Sequence, residues 1–114
     1  MADTASNEAL VMVQLAQWAT MSGVPDATSE LFSDDFHPES ADARDENVRR
    51  VLMWGETLGT MTKRGLISQD LILDWIWVSG LWGRVGHAAR AAREQTGVPQ
   101  LYENFEALAA AQPD

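Results

Sequence analysis

Apolar residues recur along this chain at helical spacing, and the interruptions are glycine and proline. From Ser6 to Met21, Val11, Leu15 and Trp18 fall at i, i+4, i+7, with Met12 and Ala19 alongside. Ser6 is a candidate N-cap, and Gly23 and Pro25 are expected to stop this first helix. Residues 26–40 are the least regular part. Thr28 to Phe32 fits one short helical turn, and Pro38 disfavours helical geometry at His37. A further helix is predicted from near Ser40, with Asp42, Asp45 and Glu46 towards its positive end. Its apolar face is Val48, Val51, Leu52, Gly55, Leu58, Gly59 and Thr62. Gly55 and Gly59 share one side of that face, which predicts close approach of a neighbour. Lys63, Arg64 and Gly65 form a C-terminal stop, and Ser68 caps the next helix.

The next segment is the richest in tryptophan. Leu71, Trp75, Val78, Trp82, Val85, Ala89 and Ala92 are spaced 4-3-4-3-4-3, a seam that predicts one continuous helix from about Gln69 to Glu94. The alternative is a bend or break near Gly83, since Gly80, Gly83 and Gly86 interrupt the pattern. Off the seam, Ile72, Leu73, Ile76, Trp77 and Leu81 make the first half apolar on nearly every side, so it must be central or pressed against a partner. Leu101, Phe105 and Leu108 then mark a closing helix over 99–111. The expected fold is all-α: an irregular antiparallel bundle of four main helices with a short extra turn, in one domain spanning 1–114. Its parts are an acidic stretch (1–46), a helical-hairpin core (47–97) and the closing helix.

Charge narrows the choice of partners. Of the formal net charge of −9, all lies in residues 1–46, which hold ten acids and the single base Arg44; residues 47–114 are balanced. An acidic front repels phosphates and anionic lipid, so nucleic acid and membrane are not expected partners. The longest apolar run, Leu71 to Trp82, contains Asp74 and is too short to span a bilayer. The chain has no cysteine and no export signal, which suits a cytoplasmic setting.

Candidate chemistry is sparse. Glu56, at the edge of an apolar stripe, is expected to form a structural ion pair with Arg84, Arg90 or Arg93 rather than to act as acid or base. Asp34, Asp35, His37 and Glu39 are ligand-type side chains in one loop, but their spacing matches no calcium loop and reads as a solvated surface. His87 lies on the far side of its helix from the seam. No catalytic residue, cofactor or metal is assigned.

The stretch from Val48 to Ala109 resembles a bacterial family known as domain of unknown function 4760. Three pieces carry the resemblance: Val51-Leu52-Met53-Trp54-Gly55-Glu56-Thr57-Leu58-Gly59, Lys63-Arg64-Gly65-Leu66-Ile67-Ser68-Gln69-Asp70, and Leu101-Tyr102-Glu103-Asn104-Phe105-Glu106-Ala107-Leu108-Ala109. Members often carry an N-terminal membrane segment, from which this chain departs. The resemblance implies an all-helical fold and brings no activity.

Two function classes follow. The first is a non-catalytic interaction module that self-associates as a dimer or binds another protein, through Trp77, Leu81, Leu73 and Ile76. In it the acidic residues 26–46 dock on Arg84, Arg90 and Arg93 of the same or a second copy. The second is a small-ligand-binding domain or enzyme, with a pocket between helices three and four near Glu56.

Overall fold

The computed structural model describes residues 4–113 and is all-helical, with no strand among them. Six α-helices follow in order: α1 (Thr4–Met21), α2 (Val24–Leu31), α3 (Glu46–Lys63), α4 (Gln69–Trp75), α5 (Val78–Thr96) and α6 (Glu103–Ala110), with a 3-10 turn at Pro38–Ser40. The molecule is elongated, 49 × 28 × 26 Å.

α3 is the central element. It packs against α6, α2, α5 and α4, and buries Val48, Val51, Leu52, Trp54, Gly55, Leu58 and Gly59. The glycine pair admits α6. A Cβ on Gly55 would lie 2.3 Å from the Phe105 ring, and one on Gly59 would lie 2.2 Å from the Asn104 carbonyl oxygen. The close neighbour predicted from these glycines is therefore the closing helix. The stop after α3 also forms as expected. Gly65 is left-handed (φ 72°), Leu66 N–H bonds to the Met61 carbonyl (2.9 Å) and Gly65 N–H to that of Thr62 (3.1 Å). Ser68 Oγ then accepts from Leu71 N–H, and Glu8 of α1 accepts from Ser68 N–H at 2.6 Å.

Several expectations about the elements are corrected. Ser6 lies inside α1 rather than capping it, and the closing helix starts at Glu103 rather than 99, after a turn over 99–102. Residues 24–31 form a helix of two turns, where one short turn at 28–32 was expected. Gly23 takes φ 77° and reverses the chain, and Pro25 then sits in the first turn of α2, where its missing N–H costs nothing. α3 begins at Glu46 rather than near Ser40, because Ser40 closes the 3-10 turn and Asp42 to Asp45 form a tight turn of their own. The long helix is broken, and not near Gly83. It stops at Trp75 and restarts at Val78, with Ile76 extended (φ −119°, ψ 134°). The seam survives the break: Val78, Val85, Ala89 and Ala92 are buried, while Leu71, Trp75 and Trp82 are half-buried.

Candidate functional site: an apolar groove beside the helix break

The break at Ile76–Trp77 forms one wall of an apolar groove with a volume of about 420 Å³. Small side chains open it on the α1 side, where Ala16, Ala19 and Thr20 line it. α2 contributes Val24, Pro25 and Thr28, and Trp54 reaches it from α3. Phe32, Trp75, Ile76, Trp77 and Leu81 complete the lining. Four of these residues are aromatic. The only side-chain polar groups outside the indole N–H groups are the Thr20 and Thr28 hydroxyls, and Thr20 Oγ1 donates to the Ala16 carbonyl. Among the described residues no carboxylate, imidazole, amine or guanidinium lines the groove, so its described lining suits apolar matter rather than proton transfer.

Trp77 stands at the mouth, 65% exposed. Its ring stacks on Phe32 (centroids 5.9 Å, 17° between planes). It also lies across the first turn of α5, over Gly80, where an added Cβ would meet the indole at 2.2 Å. Phe32 is held in turn by Arg84. The Arg84 guanidinium lies 5.5 Å from the Phe32 ring and 5.3 Å from the Phe36 ring. Its Nε donates to the Leu31 carbonyl at 2.6 Å, and Nη2 to that of Phe36 at 3.4 Å. Leu31 ends α2, so Arg84 places a cation where the helix dipole and an orphan carbonyl both favour it. Behind the groove Trp54 is buried and touches Trp18 (5.5 Å, 49°) and Trp75 (6.0 Å, 88°).

The sequence-predicted interface residues separate here. Trp77 is exposed, Ile76 and Leu73 are half-buried, and Leu81 is buried at 6% within its own chain. Leu81 therefore belongs to the core rather than to an outer face.

The expected ion pair between Glu56 and Arg84, Arg90 or Arg93 does not form. Glu56 Oε1 instead accepts from Phe105 N–H and Oε2 from Asn104 Nδ2, both at 2.9 Å. The start of α6 takes up the carboxylate, while Arg84 is held at the end of α2 and Arg93 at Leu101. Arg93 donates from Nε to the Leu101 carbonyl (2.8 Å), and its Nη2 lies 3.0 Å from Glu106 without hydrogen-bond geometry. Arg90 lies 3.9 Å from the same carboxylate, and both arginines sit beside the Trp82 ring at 5.8–5.9 Å. Residues 26–46 do meet Arg84, but through backbone carbonyls and aromatic faces rather than through acids. Glu56 lines none of the pockets described. Gly55 is packed on the Phe105 ring, and Gly59, packed on the Asn104 backbone, borders a small pocket of about 130 Å³ beside Thr62, Lys63 and Gln69 that Glu56 does not reach.

Among the described residues no group of three or more His, Asp or Glu is placed to hold a metal ion, so Asp34, Asp35, His37 and Glu39 do not converge. His87 is exposed. Tyr102 takes a left-handed backbone conformation (φ 61°) at the start of α6. Burial, and then the nearby Glu56 carboxylate, raise its phenol above the usual pKa of 10.

Sequence reasoning missed Phe32 as a groove residue and missed Gln112 altogether. The Trp77–Gly80 spacing was a usable signal, because an aromatic ring can fold over a glycine one turn away. Gln112 gave no signal, since its partners lie more than thirty residues away.

No helix among the described residues is long and apolar enough to cross a membrane. No curated protein and no solved structure gives a significant match to the chain. A family model matches residues 6–112, well beyond the 48–109 stretch that carried the resemblance, and this chain therefore belongs to the family described as "Domain of unknown function (DUF4760)".

Proposed function

We propose that this chain is a non-catalytic interaction module that self-associates through the groove between α1, α2 and the α4–α5 break. The observation that carries the reading is Trp77, a large aromatic left 65% exposed at the mouth of an apolar groove. Aromatic anchors beside apolar pockets are the usual seat of binding energy between proteins. The apolar surface also continues outward. Val13, exposed at 54%, precedes Ala16 and Thr20 at i, i+3, i+7 along α1, and Leu10 lies one turn further at 64%. A second copy, presenting the same Trp77 and α1 surface, supplies a self-complementary partner.

The attraction in this reading is apolar rather than ionic. Arg84 and Arg93 are committed to backbone carbonyls of their own chain, and Arg90 lies beside Glu106. Sedimentation velocity across a micromolar concentration series tests the proposal. The expected result is a dimer that Trp77→Ser or Phe32→Ser converts to monomer while helix content is unchanged. A wild-type chain that stays monomeric at high micromolar concentration sinks it.

One observation favours a second reading. The groove volume of about 420 Å³ lies within the range of small-ligand sites. In that reading the occupant is a small apolar molecule held by stacking on Trp77 and Phe32. Saturable quenching of tryptophan fluorescence by an apolar probe, in a strictly monomeric sample, would favour it over self-association.

A further inference from the structure

The sequence of α4 and α5 does not itself demand the break between them. Residues 69–96 contain no proline, and their apolar seam has the spacing of a single helix. Breaking a helix strands carbonyls on one side and N–H groups on the other. Here Ile76 is extended, and Trp77 (φ −80°, ψ 76°) is the middle residue of an inverse γ-turn closed by Val78 N–H to the Ile76 carbonyl at 3.0 Å.

One side chain from elsewhere meets both sides of the gap. Gln112, two residues beyond α6, accepts from Ser79 N–H at 2.7 Å through Oε1. Its Nε2 donates to the Leu73 carbonyl at 3.0 Å and to the Ile76 carbonyl at 3.1 Å. An amide is suited to this task because it presents an acceptor and two donors on one planar group. The bonded backbone groups bracket Ile76 and Trp77, which line the groove.

We infer that Gln112 is a latch: it holds the helix break, and through it the Trp77 wall of the groove, so the segment after α6 controls the groove's shape. Released, Leu73 and Ser79 lose the partners that compensate for the break, and Trp77 loses its fixed place between Phe32 and Gly80. The conformational claim stands on these bonds alone, whereas its effect on association rests on the proposed function.

Hydrogen exchange of single amides in the intact chain tests it. In Gln112→Ala, exchange of Ser79 and its neighbours to Leu81 is expected to quicken about tenfold or more, while core amides of α3 such as Leu52 and Leu58 keep their protection. Gln112→Glu keeps an acceptor for Ser79 but has no donor for the carbonyls, and an intermediate increase is expected. In the unsubstituted protein the Gln112 side-chain amide protons should exchange slowly.

Unchanged Ser79 exchange in Gln112→Ala overturns the latch. So does an equal rise across all helices, which would make Gln112 a general stabiliser, and so do freely exchanging Gln112 amide protons in the wild type. If Ser79 exchange quickens locally but the dimer is unaffected, the latch holds and the groove is not the association surface.

Discussion

Glu56 has two carboxylate oxygens, and the start of α6 uses both. Tyr102, the residue before that helix, contributes no side-chain cap, so a carboxylate from α3 satisfies Phe105 N–H and orients Asn104 instead. Glu56→Ala is expected to lower stability by about 1–3 kcal/mol in denaturant unfolding, with Glu56→Gln milder because one acceptor oxygen remains. A neutral Glu56→Ala would remove the capping role. Asp42 is the residue whose titration departs most plainly from the ordinary. The Arg44 guanidinium hydrogen-bonds it at 2.7 and 3.0 Å, and the Arg44 backbone N–H at 2.8 Å; together these hold its carboxyl at about 2 rather than 3.8. Because the folded value is depressed, the contact is fully formed above about pH 4 and is lost as pH falls through about 2. Carboxyl NMR should show that midpoint, and Arg44→Ala should move it up towards the unperturbed value.

At the scale of elements, the α3–α6 contact is the most exacting. The Asn104 carbonyl that faces Gly59 is backbone and cannot rotate away, whereas Gly55 faces the ring of Phe105. Gly59→Ala is therefore expected to cost about 3 kcal/mol, despite alanine's better helix propensity, because α6 must shift as a unit. Thermal or denaturant unfolding measures it, and a stabilised Gly59→Ala would show that the two backbones are not in close contact. The break between α4 and α5 is the opposite kind of feature. Local pattern permits a continuous helix there, and long-range bonds from Gln112 compensate for the interruption.

At the scale of the whole molecule, a net charge of −9 sets the expected salt response. Two copies of an acidic chain repel, and an apolar dimer forms against that repulsion. Raising the salt towards 1 M shortens the screening length to about 3 Å, so association through the groove should tighten. Sedimentation equilibrium at low and high salt checks this. Dissociation at high salt would mean that ion pairs, rather than the Trp77 surface, hold the copies together.

Some of this architecture was readable along the chain because it rests on neighbours in sequence. Helical spacing, the Gly65 stop, the Ser68 cap and the apolar face of α3 depend on contacts within a few residues, and each appears as expected. Gly55 and Gly59 announced a close approach but could not name what approached. Which group satisfies Glu56, which carbonyls receive Arg84, and where the long helix breaks are settled between segments thirty to fifty residues apart. Periodicity records which face of a helix is apolar, whereas polar partnership depends on which backbone groups packing leaves unpaired. The groove and its latch both belong to that second kind of information, and only the assembled structure contains it.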